Sequence, residues 1–149
     1  MNKQIPFATL NGLTVVSMDS GIYGRWNTQT STLIPLPLKF PDAGDGEIRF
    51  HTACGRVFRM YHEQDCCESV AIEEIIGDLR DLLDTPIVVA SVDEGESKSN
   101  ENGDDQWTFY TLRTHKGTVT LRWHGSGNGY YATNVDFVEV IPDNARTAN

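Results

Sequence analysis

The sequence predicts an α+β protein that is mainly antiparallel β-sheet, with about six or seven strands and one short helix near residues 78–84. Three observations carry this. β-Branched and aromatic residues dominate 107–114 and 118–124, and in the second run Val119, Leu121 and Trp123 alternate with polar residues, the two-residue period of a strand with one buried face. Gly, Asn or Pro breaks separate such runs at short intervals, as tight turns require. Within 70–86, by contrast, Ile72, Ile75, Ile76, Leu79, Leu82 and Leu83 recur at helical spacing.

Taken in chain order, residues 12–18 read as the first strand. Residues 23–45 contain Pro35, Pro37 and Pro41, which cannot donate to a ladder, so 33–40 is at most an edge segment. Residues 47–53 and 56–62 flank Cys54 and Gly55 as a hairpin would. Over 70–86 the preferred reading is a strand to about Ile75, a break at Gly77, and a short helix capped by Asp78; one amphipathic helix over 70–83 is the alternative. Pro86 precedes a short apolar run, 87–91, that suits a buried strand.

Residues 93–105 contain no apolar side chain and are expected to form a mobile acidic loop inserted between two strands. The runs 107–114 and 118–124 then make a hairpin about His115, Lys116 and Gly117. Alternation puts Val119, Leu121 and Trp123 on one face; Thr118, Thr120, Arg122 and His124 take the other, toward solvent or a ligand. Asn128-Gly129 reads as a hairpin turn, 134–141 as a closing strand stopped by Pro142, and 142–149 as a frayed tail.

The chain of 149 residues falls within the range of a single domain. Its net charge of -9, from 12 Lys and Arg against 21 Asp and Glu, argues against direct binding to nucleic acid or an anionic membrane. Residues 93–105 hold six acids and one base, or -5 of that charge, which leaves -4 for the rest. No run approaches the roughly 18 apolar residues of a membrane span, and no secretory signal opens the sequence, so a cytoplasmic protein is expected. Cys54, Cys66 and Cys67 are an odd number, and a bridge between adjacent cysteines is strained, so reduced thiols are expected.

Two places concentrate functional side chains. Around residues 61–70, where a strand ends, His62, Asp65, Cys66 and Glu68 stand within a few residues of each other, the types needed for a metal site or an imidazole-activated thiolate. The spacing does not supply the close Cys and His pairs of a zinc site, and the plain structural reading is a tight polar turn whose carboxylates accept backbone N–H groups. The second place runs from Arg122 through His124, Ser126 and Asn128 to Tyr130 and Tyr131. Its three glycines allow close approach to a phosphate, and a tyrosine there can stack on a base. It matches neither a P-loop nor a dinucleotide fingerprint, and the plain structural reading, a simple turn, is preferred. Trp107, Phe109, Tyr110, Trp123 and Phe137 read as core. Arg113 and Arg122, on neighbouring strands, are placed to hold an anion together. No catalytic triad, metal or cofactor is expected.

The string His62-Glu63-Gln64-Asp65-Cys66-Cys67-Glu68-Ser69-Val70 is distinctive. With Gly77-Asp78-Leu79, Trp107-Thr108-Phe109-Tyr110 and Asn128-Gly129-Tyr130-Tyr131, it resembles a family of small uncharacterised proteins found mainly in bacteriophages and their hosts. The resemblance covers about residues 47–140, and residues 23–45 depart from its shorter pattern. It implies no established activity or catalytic residue. Phage context implies a nonenzymatic accessory protein that binds and inhibits a host factor, plausibly one of antiviral defence. A small nucleotide-like ligand is the alternative to a host protein, and a metal- or thiol-dependent enzyme the third reading.

Overall fold

The computed structural model describes residues 3–20, 47–62, 67–100, 103–128 and 133–140. Among them are nine strands: β1 (Lys3–Gln4), β2 (Val15–Ser20), β3 (Ile48–Thr52), β4 (Val57–Tyr61), β5 (Ser69–Ile76), β6 (Val89–Asn100), β7 (Gly103–Thr114), β8 (Gly117–Gly127) and β9 (Asp136–Val140). They form a five-stranded sheet in the order β1-β9-β4-β3-β2 and a four-stranded sheet in the order β5-β8-β7-β6. Every strand pairing is antiparallel.

The protein is therefore essentially all-β, which corrects the α+β expectation. Among the described residues the helical elements are two 3-10 turns of four residues, Phe7–Leu10 and Leu79–Leu82. The helical spacing over 70–86 has another cause. A bulge between Ile72 and Glu74 resets the alternation of β5, so Ile72 and Ile75 both face inward although three residues apart. Leu79 and Leu82, also three apart, are both buried by the three-residue period of the 3-10 turn. Two non-helical devices in succession reproduce an i, i+3 pattern. Asp78 does cap the turn, accepting from the Arg80 backbone N–H at 2.9 Å. Gly77 is required before it, because its φ is +112° and a Cβ there would lie 2.6 Å from the Thr118 carbonyl oxygen.

The core lies between the sheets. Phe50, Phe58, Met60 and Met18 from one sheet meet Ile75, Leu112, Leu121 and Trp123 from the other, all at most 1% exposed. Trp123 donates its Nε1–H to Met60 Sδ at 3.3 Å across the interface. Phe7, in the first 3-10 turn, packs edge-on against both Tyr110 and Phe137 at 5.1 Å.

The acidic stretch is also corrected. Residues 93–100 and 103–105 continue β6 and β7 as the far end of a long hairpin. Cross-strand pairing offsets its like charges: Lys98 stands opposite Asp105, and Ser99 donates to Asp104. The turn expected at Asn128-Gly129 does not join a hairpin, because β9 pairs with β4 and β1 and lies in the opposite sheet from β8. Residues 129–132, the proline-rich 23–45 and the tail 142–149 lie outside the described residues. Among those described, no helix is long and apolar enough to cross a membrane.

Candidate functional site

Among the described strands the chain changes sheets twice, between β4 and β5 and between β8 and β9. Register forces these crossovers side by side. Tyr61 at the end of β4 pairs with Asp136 at the start of β9, while Ser69 at the start of β5 pairs with Ser126 near the end of β8. Of the two sequence clusters, His62 and Glu68 are thereby brought beside Gly125 and Gly127. His62 lies with Nδ1 at 2.6 Å from the Asn134 carbonyl oxygen and Nε2 at 2.7 Å from Glu68 Oε2. Both side chains are shut off from water, at 4% and 0% exposure. The carbonyl only accepts, so Nδ1 carries a proton, and one further proton lies in the hydrogen bond between Nε2 and the Glu68 carboxyl. Beside them the backbone is tight: a Cβ on Gly125 would lie 2.8 Å from Thr133 Cβ, and Glu68 Cβ stands 3.4 Å from where one on Gly127 would be.

These bonds tie the described ends of the crossovers together, with both side chains buried. Asp65 and Cys66 lie outside the described residues. Cys67 is disulfide-bonded, which overturns the expectation of a reduced thiol there, whereas Cys54 is free. Among the described residues no three His, Cys, Asp or Glu side chains converge as metal ligands would.

The other predicted residues, Arg122, His124 and Ser126, project from β8 on the face of the four-stranded sheet turned away from the core. That face is open. Trp107 and Phe109, expected in the core, stand on it half-buried, because alternation along β7 sends Tyr110, Leu112 and Thr114 inward and the odd-numbered positions outward. Register sets Trp107 opposite His124 and Phe109 opposite Arg122. The rings of Trp107 and His124 are 4.9 Å apart at 38°. The Trp107 Nε1–H donates to Glu73 Oε1 at 3.2 Å, and Lys98 Nζ stands 5.7 Å from the indole. His124 Nε2 lies 3.0 Å from Asp105 Oδ1, with both side chains about one third exposed.

Arg122 is held loosely. Its Nε lies 2.8 Å from Glu73 Oε1, close enough for attraction, yet it is buried and lacks an aligned hydrogen bond; Nη1 reaches Glu74 at 3.4 Å. Gly95, Lys98, Trp107, Phe109 and Arg122 together line a cleft of about 340 Å³. Arg113 lies four positions along β7 from Phe109, the residue opposite Arg122, so the two arginines do not converge. Asn128 is exposed just past β8, and Tyr130 and Tyr131 lie outside the described residues.

Residues 10–137 match the family model of a domain of unknown function, DUF7448. The chain belongs to this family. The DUF7448 match runs from the first 3-10 turn into β9, so it takes in both sheets, both crossovers and the open face. No curated protein matches the chain, and no solved structure does.

Two further features of this DUF7448 chain escaped the sequence reading. Glu47, 5% exposed, accepts from Arg59 at 2.7 and 3.1 Å and from Arg49 at 3.0 Å, reconciling two arginines that register places directly opposite each other. The signal was present as a cross-strand pair of like charges flanking an acid, legible only with the register in hand. Cys54, exposed in the β3–β4 turn, has its thiol lowered from the ordinary range by its hydrogen bond with Thr52, with the Arg56 backbone N–H adding to it.

Proposed function

We propose that the protein is a nonenzymatic binding protein of phage type whose binding surface is the open face of the four-stranded sheet around Trp107. The observation that carries this reading is the placing of Trp107 and Phe109, half-buried, beside Arg122, His124 and Lys98 on neighbouring strands of one sheet. Tryptophan and arginine are the residues that most often dominate binding energy, and a rigid scaffold lowers the entropy lost on association. The resemblance to small phage proteins supplies the setting, in which the bound species is a host factor and binding inhibits it.

The test is affinity capture from host lysate, comparing the wild-type chain with Trp107→Ala at matched folding. The reading expects the variant to retain less than about one tenth of the captured partner. Equal capture by both chains places the binding surface elsewhere.

A further inference from the structure

We propose that the cleft between β6, β7 and β8 is a site for a small nucleotide, with its base stacked on Trp107 and Phe109 and its phosphate held by Lys98 and Arg122. The inference rests on the open face being the binding surface, and it names the chemistry of what that surface takes.

The lining of the cleft decides the ligand class. Its two apolar walls are aromatic rings and its two polar walls are cations; no carboxylate lines it among the described residues. Among the described residues, three acids near the cleft are turned to partners. Glu73 accepts from Trp107 and approaches Arg122, Glu74 reaches Arg122, and Asp105 faces His124. Asp93 pairs with Phe109 across the ladder without lining the cleft.

Both cations have donor capacity to spare. Lys98 makes no ion pair among the described residues, and its recorded contact is with the Trp107 ring. Arg122 holds Glu73 off the line of its Nε–H and Glu74 at 3.4 Å, and its Nη2 has no hydrogen bond among the described residues. A phosphate accepting from Nη2 therefore displaces no well-formed hydrogen bond, and one shared with Lys98 gains a second charge-assisted contact. A base gains stacking on the indole, which is sequence-tolerant because every base presents a π-face. The volume, about 340 Å³, is at the lower end of small-molecule sites, so it suits one nucleotide rather than a strand.

Gly95 makes the cleft possible. It sits at the irregularity of β6 between Glu94 and Ser97, and a Cβ there would lie 2.5 Å from Phe109 Cε1. Any larger residue would push the Phe109 ring into the space assigned to the ligand.

The experiment is isothermal titration of the wild-type chain with adenosine, guanosine, cytidine and uridine 5′-monophosphates, with the four corresponding nucleosides and with inorganic phosphate. At least one monophosphate is expected to bind, with the matching nucleoside and phosphate alone at least about ten-fold weaker. Lys98→Ala and Arg122→Ala should each weaken that binding about five-fold or more, Trp107→Leu about ten-fold, and Gly95→Ala measurably, all with unaltered circular dichroism. No binding of any monophosphate at about 1 mM, or binding that survives the Lys98 and Arg122 variants, overturns the proposal. Tighter binding of a short single-stranded oligonucleotide than of any mononucleotide overturns it in favour of nucleic acid. If no nucleotide binds while Trp107→Ala still loses the captured host partner, the nucleotide site is wrong and the open binding face stands; if both results fail, both readings fall.

Discussion

His62 with Glu68 and His124 with Asp105 are the same pair of functional groups at nearly the same separation, 2.7 and 3.0 Å. They differ in water. The first pair is sealed between two crossovers at 4% and 0% exposure; the second stands on an open sheet face at 29% and 34%. In the sealed pair every polar atom must find a protein partner, and losing one removes a hydrogen bond that solvent does not replace. In the open pair water replaces either partner at little cost, so the groups remain free to meet a ligand. Identical chemistry thus serves to lock the fold in one region and to furnish a surface in the other.

The largest effect that could break this comparison comes from His62→Ala. It leaves the Glu68 carboxyl buried without its imidazole and should cost about 3 to 5 kcal/mol in urea unfolding, nearly independent of salt. A cost below about 1 kcal/mol would show that water reaches the crossover cluster. The tryptophans sharpen the same contrast on neighbouring strands. Trp123→Ala, at 1% exposure, should cost about 3 to 5 kcal/mol, whereas Trp107→Ala on the open face should cost about 1. Comparable losses would mean that the outer face is covered.

Tyr110 provides an interior probe by pH. Burial, with Asp136 and Glu94 nearby, pushes its phenol up to about 12. The folded pKa lies above the unfolded value near 10, so this contribution is intact below about pH 10 and is lost as pH rises to about 12, by at most about 2.7 kcal/mol. Tyr110→Phe should remove that part of the alkaline loss in unfolding measured from pH 9 to 12. An unchanged alkaline slope would place the phenol in contact with water. The smallest effect is expected for Asp105→Asn, under about 0.5 kcal/mol and fading further in high salt. A loss as large as that of His62→Ala would erase the distinction between the two pairs.

Much of the strand pattern was legible in the sequence because it is set over a few residues. The alternation that buries Val119, Leu121 and Trp123 and turns Arg122 and His124 outward is a property of β8 alone. The hairpin turns at Cys54-Gly55 and at His115-Lys116 follow from local composition and are present, at the β3–β4 and β7–β8 connections. The same local reasoning failed where a local pattern has two causes. The bulge in β5 and the 3-10 turn after it counterfeit a helix, and the polar far end of β6 and β7, read as a loop, is ordered by the strands it extends rather than by burial of its own.

The sequence placed His62 and Glu68 in one candidate cluster and Arg122, His124 and Ser126 in another, and the structure adds the neighbours of each. His62 and Glu68 belong with Gly127 and Asn134 in a sealed cluster; Arg122 and His124 belong with Trp107, Phe109 and Lys98 on an open face. The sequence by itself determined which residues share a face of a strand, because that depends on a two-residue period. Only the tertiary structure decided which face is covered, and that β9 leaves β8 for the other sheet, because pairing between distant strands is fixed by the shared core and not by the residues near the turn.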